Sequence, residues 1–221
     1  MNAEGHAIGR YALRIWLYRH ATGPWAPTRN ARAQPWPKTG CSASRPPPPN
    51  QIWVGDITYL PLLGGRWCYP VMWRGACSRR VVGWHLATQM PTELVLLALE
   101  QALTLRQPAP GLIVHADHGS QHTSAACHAR IEAAGAVSSF SRPGNPYDNT
   151  QAEAGWSTLK TELLSSGIVF ASLEEARLKV THYLDTYFNL GRRHSALNYR
   201  SPLQFEYALK LNLPNLTVRF H

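Results

Sequence analysis

The chain has 221 residues, of which 44% are hydrophobic, so it can bury one sizeable core beside a smaller appendage, which argues against wholesale disorder. Its 22 lysine and arginine residues outnumber the 13 acidic ones, and the net charge of +9 favours a polyanionic partner over a merely soluble basic protein. Four cysteines without a C-x-x-C pair, no membrane-length apolar run and no signal layout predict a cytoplasmic protein with reduced thiols and no membrane partner.

The N-terminal part of the chain predicts an appendage followed by a linker. Apolar residues such as Tyr11 alternate with basic ones such as Arg14 at helical spacing, which predicts a basic amphipathic helix within residues 1–23. That helix either binds DNA or packs against the rest of the chain. Residues 24–49 contain eight prolines, and because proline fixes φ and removes a donor, this stretch predicts an extended linker.

From residue 50 onward, short apolar runs and longer helical periods predict strands followed by helices. Three strands of an antiparallel meander come first, then a helix, a strand, a helix and a strand. Their predicted bounds are 51–60, 66–73 and 80–87 for the meander, 92–105 for the helix, 112–115 for the strand, 123–134 for the second helix and 137–140 for the fifth strand. This order predicts an α/β fold with a mixed five-stranded sheet flanked by helices.

The later part of the chain carries three helix-start signals after a loop at 142–147 that is rich in Pro, Gly and Asn. In each, a short polar residue can cap the helix, and it is followed either by Gln or Glu three positions later or by proline at the first helical position. The pairs are Asp148 with Gln151, Ser172 with Glu175 for a helix to about Phe188, and Ser201 with Pro202. The first of these helices carries Glu153.

Three acids, Asp56, Asp117 and Glu153, are the candidate catalytic and metal-binding residues. Asp56 stands among apolar strand residues, where an unpaired carboxylate costs several kcal/mol, so it needs a partner or a metal unless it caps a turn. Asp117 ends an apolar strand and is otherwise a turn former, and Glu153 lies one turn into its helix. Oxygens from two strand ends and a helix can hold two Mg²⁺ or Mn²⁺ ions, which activate the attacking oxygen and stabilise the leaving oxygen of a phosphodiester.

Other residues are candidates for contact with nucleic acid. Lys160, seven positions after Glu153, shares a helix face with it and with Asn149, so it lines the same groove unless it is a solvated surface lysine. Basic side chains at element ends fit phosphate contacts, with solvated arginines as the alternative. These are Arg79, Arg80, Arg192, Arg193 and His194, together with His118 beside the second acid. The tryptophans that alternate within strands are interpreted as core residues and not as base-stacking platforms: Trp53, Trp67, Trp73 and Trp84.

Histidines near the second acid raise the alternative of zinc. Their spacing matches no four-ligand structural pattern, and three of them flank the segment that already carries Asp117. The residues concerned are His115, His118, His122, His128 and Cys127. We therefore interpret this part of the chain as a site for hard cations.

Five local motifs occur in a fixed order between about residue 50 and residue 205. They are Trp53-Val54-Gly55-Asp56-Ile57-Thr58-Tyr59, Ser78-Arg79-Arg80-Val81-Val82-Gly83-Trp84, Asp117-His118-Gly119-Ser120-Gln121, Asn145-Pro146-Tyr147-Asp148-Asn149 leading to Glu153, and Arg192-Arg193-His194-Ser195-Ala196-Leu197. In this order they resemble the catalytic core of bacterial insertion-sequence transposases of the IS-three family. That family is related to retroviral integrases and has an RNase H-like fold.

The resemblance implies a DDE transposase, a polynucleotidyl transferase with a two-metal-ion mechanism, that cuts DNA at mobile-element ends and joins the freed 3′ hydroxyl to a second phosphodiester. Its partners would be the terminal repeats, the target DNA and further copies of the chain in a dimer or larger complex at the bacterial nucleoid. It also divides the chain into a remnant of a helical DNA-binding region at 1–23, the linker at 24–49, the catalytic core at 50–210 and a tail at 211–221.

Two alternatives remain open. A truncated, non-catalytic DNA-binding remnant or regulator of transposition is suggested by the short N-terminal region and by Gly75, where relatives often carry an acid. His118 and His122 also depart from the arginine and tyrosine that relatives often carry there. A simple RNase H-like nuclease that cuts without joining is the second alternative. The helix with Lys160 and the motif beginning at Arg192 favour the transposase over that nuclease.

Overall fold

The computed structural model describes residues 48–141, 149–164 and 167–211. The predicted N-terminal helix, nearly all of the proline-rich linker, the loop and helix cap at 142–148, and the tail beyond 211 lie outside the described residues. None of the described helices has the length and apolar character needed to cross a membrane.

A mixed β-sheet forms the centre of the fold, as the sequence predicts. Its main strands run in the order β4-β3-β1-β5-β6, with β3 antiparallel to β1 and β4, and β5 parallel to β1 and β6. The bounds are β1 Ile52–Ile57, β2 Leu60–Leu62, β3 Arg66–Gly75, β4 Val81–Ala87, β5 Ile113–Ala116 and β6 Val137–Phe140. The three antiparallel strands are the predicted meander, and the two parallel strands follow helical crossovers.

The short strand β2 continues β1 along the same edge of β3. The pairing keeps one register from Trp53 opposite Gly75 to Leu62 opposite Arg66. Between the two strands, the Thr58 amide donates to the Pro70 carbonyl at 2.9 Å. Pro70 has no N–H to return, so the ladder is interrupted there although the chain stays extended. The predicted single strand at 51–60 is therefore divided in two.

Helices cover both faces of the sheet. Their bounds are α1 Thr92–Arg106, α2 Ala125–Ala133, α3 Thr150–Leu163, α4 Leu173–Thr181 and α5 Pro202–Leu211, with a π-helical segment at His182–Gly191 after α4. One face buries Trp53, Val71 and Trp73 against α1 and α2. The opposite face buries Met72 and Trp84 against α3, α4 and the π-helical segment. The sheet therefore separates two apolar cores.

Helix α1 lies unusually close to β4 at Gly83. A Cβ placed on Gly83 would overlap the Ala98 carbonyl oxygen and lie 2.7 Å from the Ala102 nitrogen. The backbone of the helix thus occupies the space of the missing side chain. Glycine is required at this position because the two backbones approach directly.

The predicted helix from Ser172 to about Phe188 differs from the structure in its second half. The Ser172 hydroxyl accepts from the Glu175 amide at 3.1 Å, so the predicted cap is present. After Thr181 the chain continues as the π-helical segment to Gly191. In that segment Asn189 exchanges two hydrogen bonds with the Val81 backbone, at 2.9 and 3.0 Å. These long-range bonds have no signal in the local sequence.

Helix α5 begins with the predicted cap and is fastened to the core by one buried acid. The Ser201 hydroxyl accepts from the Gln204 amide at 3.3 Å, and the Gln204 side chain accepts from the Ser201 amide at 3.1 Å. Glu206, which is 5% exposed, accepts from Ser78 at 2.7 Å and forms ion pairs of 2.9 Å with Arg80 and Arg106. The acid therefore joins α5 to β4 and α1.

Candidate active site

Two of the three candidate acids come from neighbouring strands. β1 and β5 are parallel, and Gly55 lies opposite Ala116 at the end of their ladder. Asp56 is the next residue of β1, and Asp117 is the first residue after β5. Neighbouring strands lie about 4.8 Å apart, so the two aspartates occupy adjacent positions at the same end of the two strands.

The third acid is carried by α3, which runs over β1. The Trp156 indole N–H donates to the Asp56 carbonyl at 3.2 Å, and the Gln151 side chain donates to the Ala76 carbonyl at 3.0 Å. A further bond, from the buried Arg74 guanidinium to the Gln151 carbonyl, holds the first turn against β3. Glu153 lies between these two anchored positions along α3.

The orientation of α3 decides which way its polar flank faces. Gly155 lies over β3, where an added Cβ would be 2.7 Å from the Met72 methyl group, whereas Trp156 reaches β1. The flank beyond Trp156 therefore faces the β5 side of the sheet. At 3.6 residues per turn that flank carries Glu153 and Lys160, both partly exposed. Glu153 and Lys160 thus share the flank of α3 that faces the β5 side of the sheet, and the space along this flank is called the groove below.

Hydrogen bonds hold the two aspartates in defined orientations. An oxygen of Asp56 accepts from the Ile57 amide at 2.9 Å. An oxygen of Asp117 accepts from the Gly119 amide at 3.1 Å and lies 3.0 Å from Nδ1 of His122. His122 is buried, and its ring packs edge-on against Trp73. This histidine therefore orients Asp117, a role that the sequence did not suggest.

The donor set suits a hard divalent cation, because it consists of carboxylate oxygens at strand ends. Among the residues that the structure describes, however, no group of three or more His, Cys, Asp or Glu is arranged to hold a metal ion. Asp56 and Asp117 lie at the ends of adjacent parallel strands, and Glu153 lies on the helix that is bonded to β1. Their assignment as catalytic and metal-binding residues stays a prediction.

The histidines considered for zinc lie in separate environments. Nδ1 of His115 is 2.9 Å from the Ser139 hydroxyl, and His122 contacts Asp117. The rings of His118 and His128 both pack against the Phe140 ring, and their centroids lie 5.4 Å and 5.3 Å, respectively, from the Phe140 centroid. His118 is exposed and directly follows Asp117 in the chain.

Lys160 lies at the far end of the groove, with its Nζ 4.1 Å from the centroid of the Tyr59 ring. Tyr59 in turn contacts Trp67 edge-to-face. Trp67 is 45% exposed, so its predicted core position is wrong, whereas Trp53, Trp73 and Trp84 are buried. Trp67 is exposed because it projects from the face of the β2–β3 hairpin opposite the buried Leu60 and Cys68. Asn149, at the other end of the groove, is buried immediately before α3.

The basic residues predicted to contact DNA fall into two groups. Arg80 pairs with Glu206, and Arg192 pairs with Glu162 at 2.7 Å, so both have structural partners. Arg79 is partly exposed in the β3–β4 turn, and Arg193 is exposed. His194 is buried; burial and the charge of Arg192 lower its pKa to about 4. Contact between these residues and DNA stays a prediction.

Arg74 is a buried residue near the site that sequence reasoning missed. Burial, together with the charges of Arg79 and Arg192, lowers the pKa of Arg74 to about 9. Its bond to the Gln151 carbonyl links β3 to the start of α3. An arginine in the middle of an apolar strand was the available signal for such a contact, although its partner lies 77 positions away.

Comparison with protein families gives two overlapping matches, both described as integrase core domain, over residues 46–146 and 135–202. The transposase for insertion sequence element IS904 of Lactococcus lactis subsp. lactis (strain IL1403) is 38% identical over 202 residues, which are 87% of this chain and 79% of that protein. Transposase InsF for insertion sequence IS3A of Escherichia coli (strain K12) is 39% identical over 158 residues. That match spans 72% of this chain and 54% of InsF.

Solved structures show the same fold at low sequence identity. The HTLV-2 integrase catalytic core domain in complex with magnesium, in a trimeric form, matches with a TM-score of 0.51 and 18% identity over 72% of this chain and 97% of that one. A simian T-cell lymphotropic virus intasome in complex with PP2A regulatory subunit B56 gamma matches with a TM-score of 0.61 and 17% identity. That match covers 96% of this chain and 69% of the other. The architecture is therefore that of the RNase H-like integrase cores.

Proposed function

The chain belongs to the insertion-sequence transposases that carry an integrase core domain, and from this membership we propose that it is a metal-dependent DNA strand transferase acting at mobile-element ends. The main structural support is the position of Asp56 and Asp117 at the ends of adjacent parallel strands, with α3 bonded to the Asp56 carbonyl. The carboxyl ends of parallel strands are where such folds bind their ligands.

We propose that Asp56, Asp117 and Glu153 hold two Mg²⁺ or Mn²⁺ ions. When bound, such ions supply an activated attacking oxygen and charge stabilisation at the leaving oxygen of a phosphodiester. The chain's own residues orient this site: the Ile57 amide holds Asp56, and His122 holds Asp117. The proposal includes an approach of Glu153 to the two aspartates when the ions bind.

Lys160 is proposed to bind a phosphate of the DNA end, since it borders the groove on the same flank of α3 as Glu153. Exposed Arg193 and His118 and partly exposed Arg79 are proposed to contact the phosphate backbone, which gives affinity with little sequence specificity. Arg80 and Arg192 are paired with Glu206 and Glu162, so each can contact DNA only through guanidinium N–H groups that do not bind its acidic partner. We propose that buried Asn149 acts at the groove by positioning the start of α3 and that His194 supports Arg192.

Two element ends must be processed together, so we propose that the chain acts as a homodimer or larger complex on terminal repeats and target DNA at the bacterial nucleoid. The chain covers 79% of one relative and 54% of another. A non-catalytic DNA-binding regulator is the second candidate, because Gly75 stands where relatives often carry an acid. The position of Asp56 and Asp117 at the ends of adjacent parallel strands favours the enzyme.

The test incubates the purified chain with Mn²⁺ and labelled element ends and measures cleavage and joining. Asp56→Asn, Asp117→Asn and Glu153→Gln each remove one metal-ligand charge, and we expect each to lower joining by at least about 100-fold with the fold and most DNA binding retained. Calorimetric titration with Mn²⁺ provides a second readout, in which each variant should bind the ion more weakly.

Glu174→Gln is the matched control, because Glu174 is an exposed acid on α4 outside the groove. A triad variant that joins DNA as well as this control would remove its acid from the site. Specific end binding by the unsubstituted chain, with neither cleavage nor joining in Mn²⁺, would identify the regulator.

A further inference from the structure

Two exposed aromatic side chains in contact form a surface feature that the core does not explain. Tyr59 is 49% exposed and Trp67 is 45% exposed. Their ring centroids are 5.1 Å apart with an interplanar angle of 87°, an edge-to-face arrangement. Large rings that remain half in water while touching each other stabilise the fold less than buried ones do, so the pair is available to a partner.

The hairpin formed by β2 and β3 holds this aromatic pair in place. Trp67 lies opposite Pro61, and the unbroken register makes Tyr59 its diagonal neighbour on the same face. The other face of the hairpin is buried through Leu60 and Cys68. The two rings are therefore presented outward by a hairpin that is anchored on its reverse side.

Lys160 connects the aromatic pair to the candidate active site. Its Nζ lies 4.1 Å from the Tyr59 centroid, a cation–π contact that leaves a positive charge beside the rings. Tyr59 is three residues after Asp56, so their Cα atoms are at most about 11 Å apart. Along α3, Lys160 is seven residues from Glu153, or about 10 Å, which is about three base steps of one DNA strand.

We propose that Tyr59 and Trp67 form a stacking platform for an unpaired base of the DNA strand that enters the active site. Every base has an aromatic face, and sites for single-stranded nucleic acid combine exposed rings with basic residues that bind the backbone. The positive charge at the rings favours a nucleic acid over an apolar protein partner. The platform would bind a strand end that has separated from its complementary strand. A phosphate contact with Lys160 alone would not distinguish such an unpaired end from a paired one.

This inference rests on the proposed function, and its test separates the two. The full chain, without divalent ions, is mixed with a DNA hairpin carrying a short unpaired 3′ end that contains 2-aminopurine, and with the same hairpin with a blunt end. Fluorescence anisotropy gives the affinity for each DNA, and quenching of 2-aminopurine reports stacking directly. We expect the unpaired end to bind more tightly and to be quenched.

Substitutions then separate stacking from general apolar contact. Trp67→Leu and Tyr59→Leu should each lower the preference for the unpaired end by roughly 5- to 100-fold and abolish quenching, because each removes an aromatic face. Trp67→Phe and Tyr59→Phe should retain both. Leu63→Ala, at an exposed apolar residue of the same hairpin, and Tyr207→Leu, at an exposed tyrosine of α5, are the matched controls and should behave as the unsubstituted chain.

Three results would overturn the platform while leaving the transposase proposal intact. They are equal binding of blunt and unpaired ends, quenching that survives both leucine substitutions, and leucine variants that change only the sedimentation of the chain. The last would assign the pair to a protein interface. Failure of the unsubstituted chain to bind either DNA would overturn the proposed function and the platform together.

Discussion

His194 shows how a single buried side chain depends on its neighbours. Its ring packs against Phe188 with centroids 4.9 Å apart, and Nη1 of Arg192 lies 3.2 Å from its Nδ1. Because arginine has only donors, Nδ1 must accept, and the neutral ring then carries its proton on Nε2. Burial, with the charges of Arg192, Arg79 and Arg74, lowers the pKa of His194 to about 4.

This shift predicts a specific loss of stability in acid. The pKa of histidine in the unfolded chain is about 6.5, so above that pH the His194 ring is neutral in both states. As the pH falls from about 6.5 to about 4, the unfolded state binds a proton that the folded state does not bind. We expect the free energy of unfolding to fall by up to about 1.4 kcal/mol per pH unit in this window. Urea denaturation at several pH values measures the slope.

His194→Phe keeps a ring against Phe188 but cannot be protonated, so the slope between pH 6.5 and 4 should flatten. His182→Gln, at an exposed histidine of the π-helical segment, is the control and should keep the slope. An unchanged slope in His194→Phe would mean that another group causes the acid sensitivity.

Residue roles were predictable from sequence only where local sequence carries them. Asp56 and Asp117 were chosen as candidates because each acid interrupts or ends an apolar strand, and their roles stay predictions. Arg192 was identified as basic, but its pairing with Glu162 depends on two helical segments meeting. The contact of buried His122 with Asp117 was missed, and Trp67, which projects from a hairpin, was wrongly predicted to lie in the core. Both positions depend on tertiary contacts that the local sequence does not show.

Helix α5 is held to the fold mainly through Glu206. Burial alone would raise the pKa of this acid, but the hydrogen bond from Ser78 and the nearby charges of Arg106 and Arg80 together lower it below its usual range. Its contribution to stability is therefore present above the unfolded pKa of about 4.3 and is lost as pH falls through the lower folded value.

Glu206→Gln keeps the size of the side chain but leaves two arginines without a partner charge. Breaking a buried ion pair on one side costs about 3 to 5 kcal/mol, so we expect a loss of that order in urea denaturation. Glu132→Gln, at an exposed acid of α2, should change the free energy of unfolding by less than about 0.5 kcal/mol. An equal effect of the two substitutions would show that α5 is held by other contacts.

Elements were predicted well where periodicity and caps are local. The strand at Val137–Phe140 and the helix at Thr92–Arg106 match the predicted bounds within one residue. The division of β1 from β2 depends on Pro70, which is distant in sequence and acts only once the strands pair. In the π-helical segment, Asn189 bonds to the Val81 backbone, which lies 108 positions earlier in the chain. Tertiary contacts of this kind are not encoded in a local pattern.

At the scale of the whole molecule, the net charge of +9 predicts how DNA binding depends on salt. A protein that neutralises six to ten phosphates loses roughly 10³- to 10⁵-fold in affinity between about 50 and 200 mM salt, because condensed counterions are released. We expect a steep linear decrease of log affinity with log salt concentration, measured by anisotropy with labelled duplex.

Arg193→Gln and Lys160→Gln should each reduce the salt slope by about 1, since each removes one phosphate contact. Lys179→Gln, at an exposed lysine of α4, is the control and should leave the slope unchanged. A flat salt response of the unsubstituted chain would rule out binding dominated by phosphate contacts.

The close seating of α1 on β4 at Gly83 determines which half of the molecule can rearrange. At this contact the backbone of α1 packs directly on the backbone of β4, and no side chain lies between them that could change rotamer to allow a movement. We therefore expect the sheet and α1 to move as one rigid unit. An adjustment that draws Glu153 toward the aspartates must then come from the α3 side. Amide hydrogen exchange should accordingly be slow in the sheet and α1 and faster in α3.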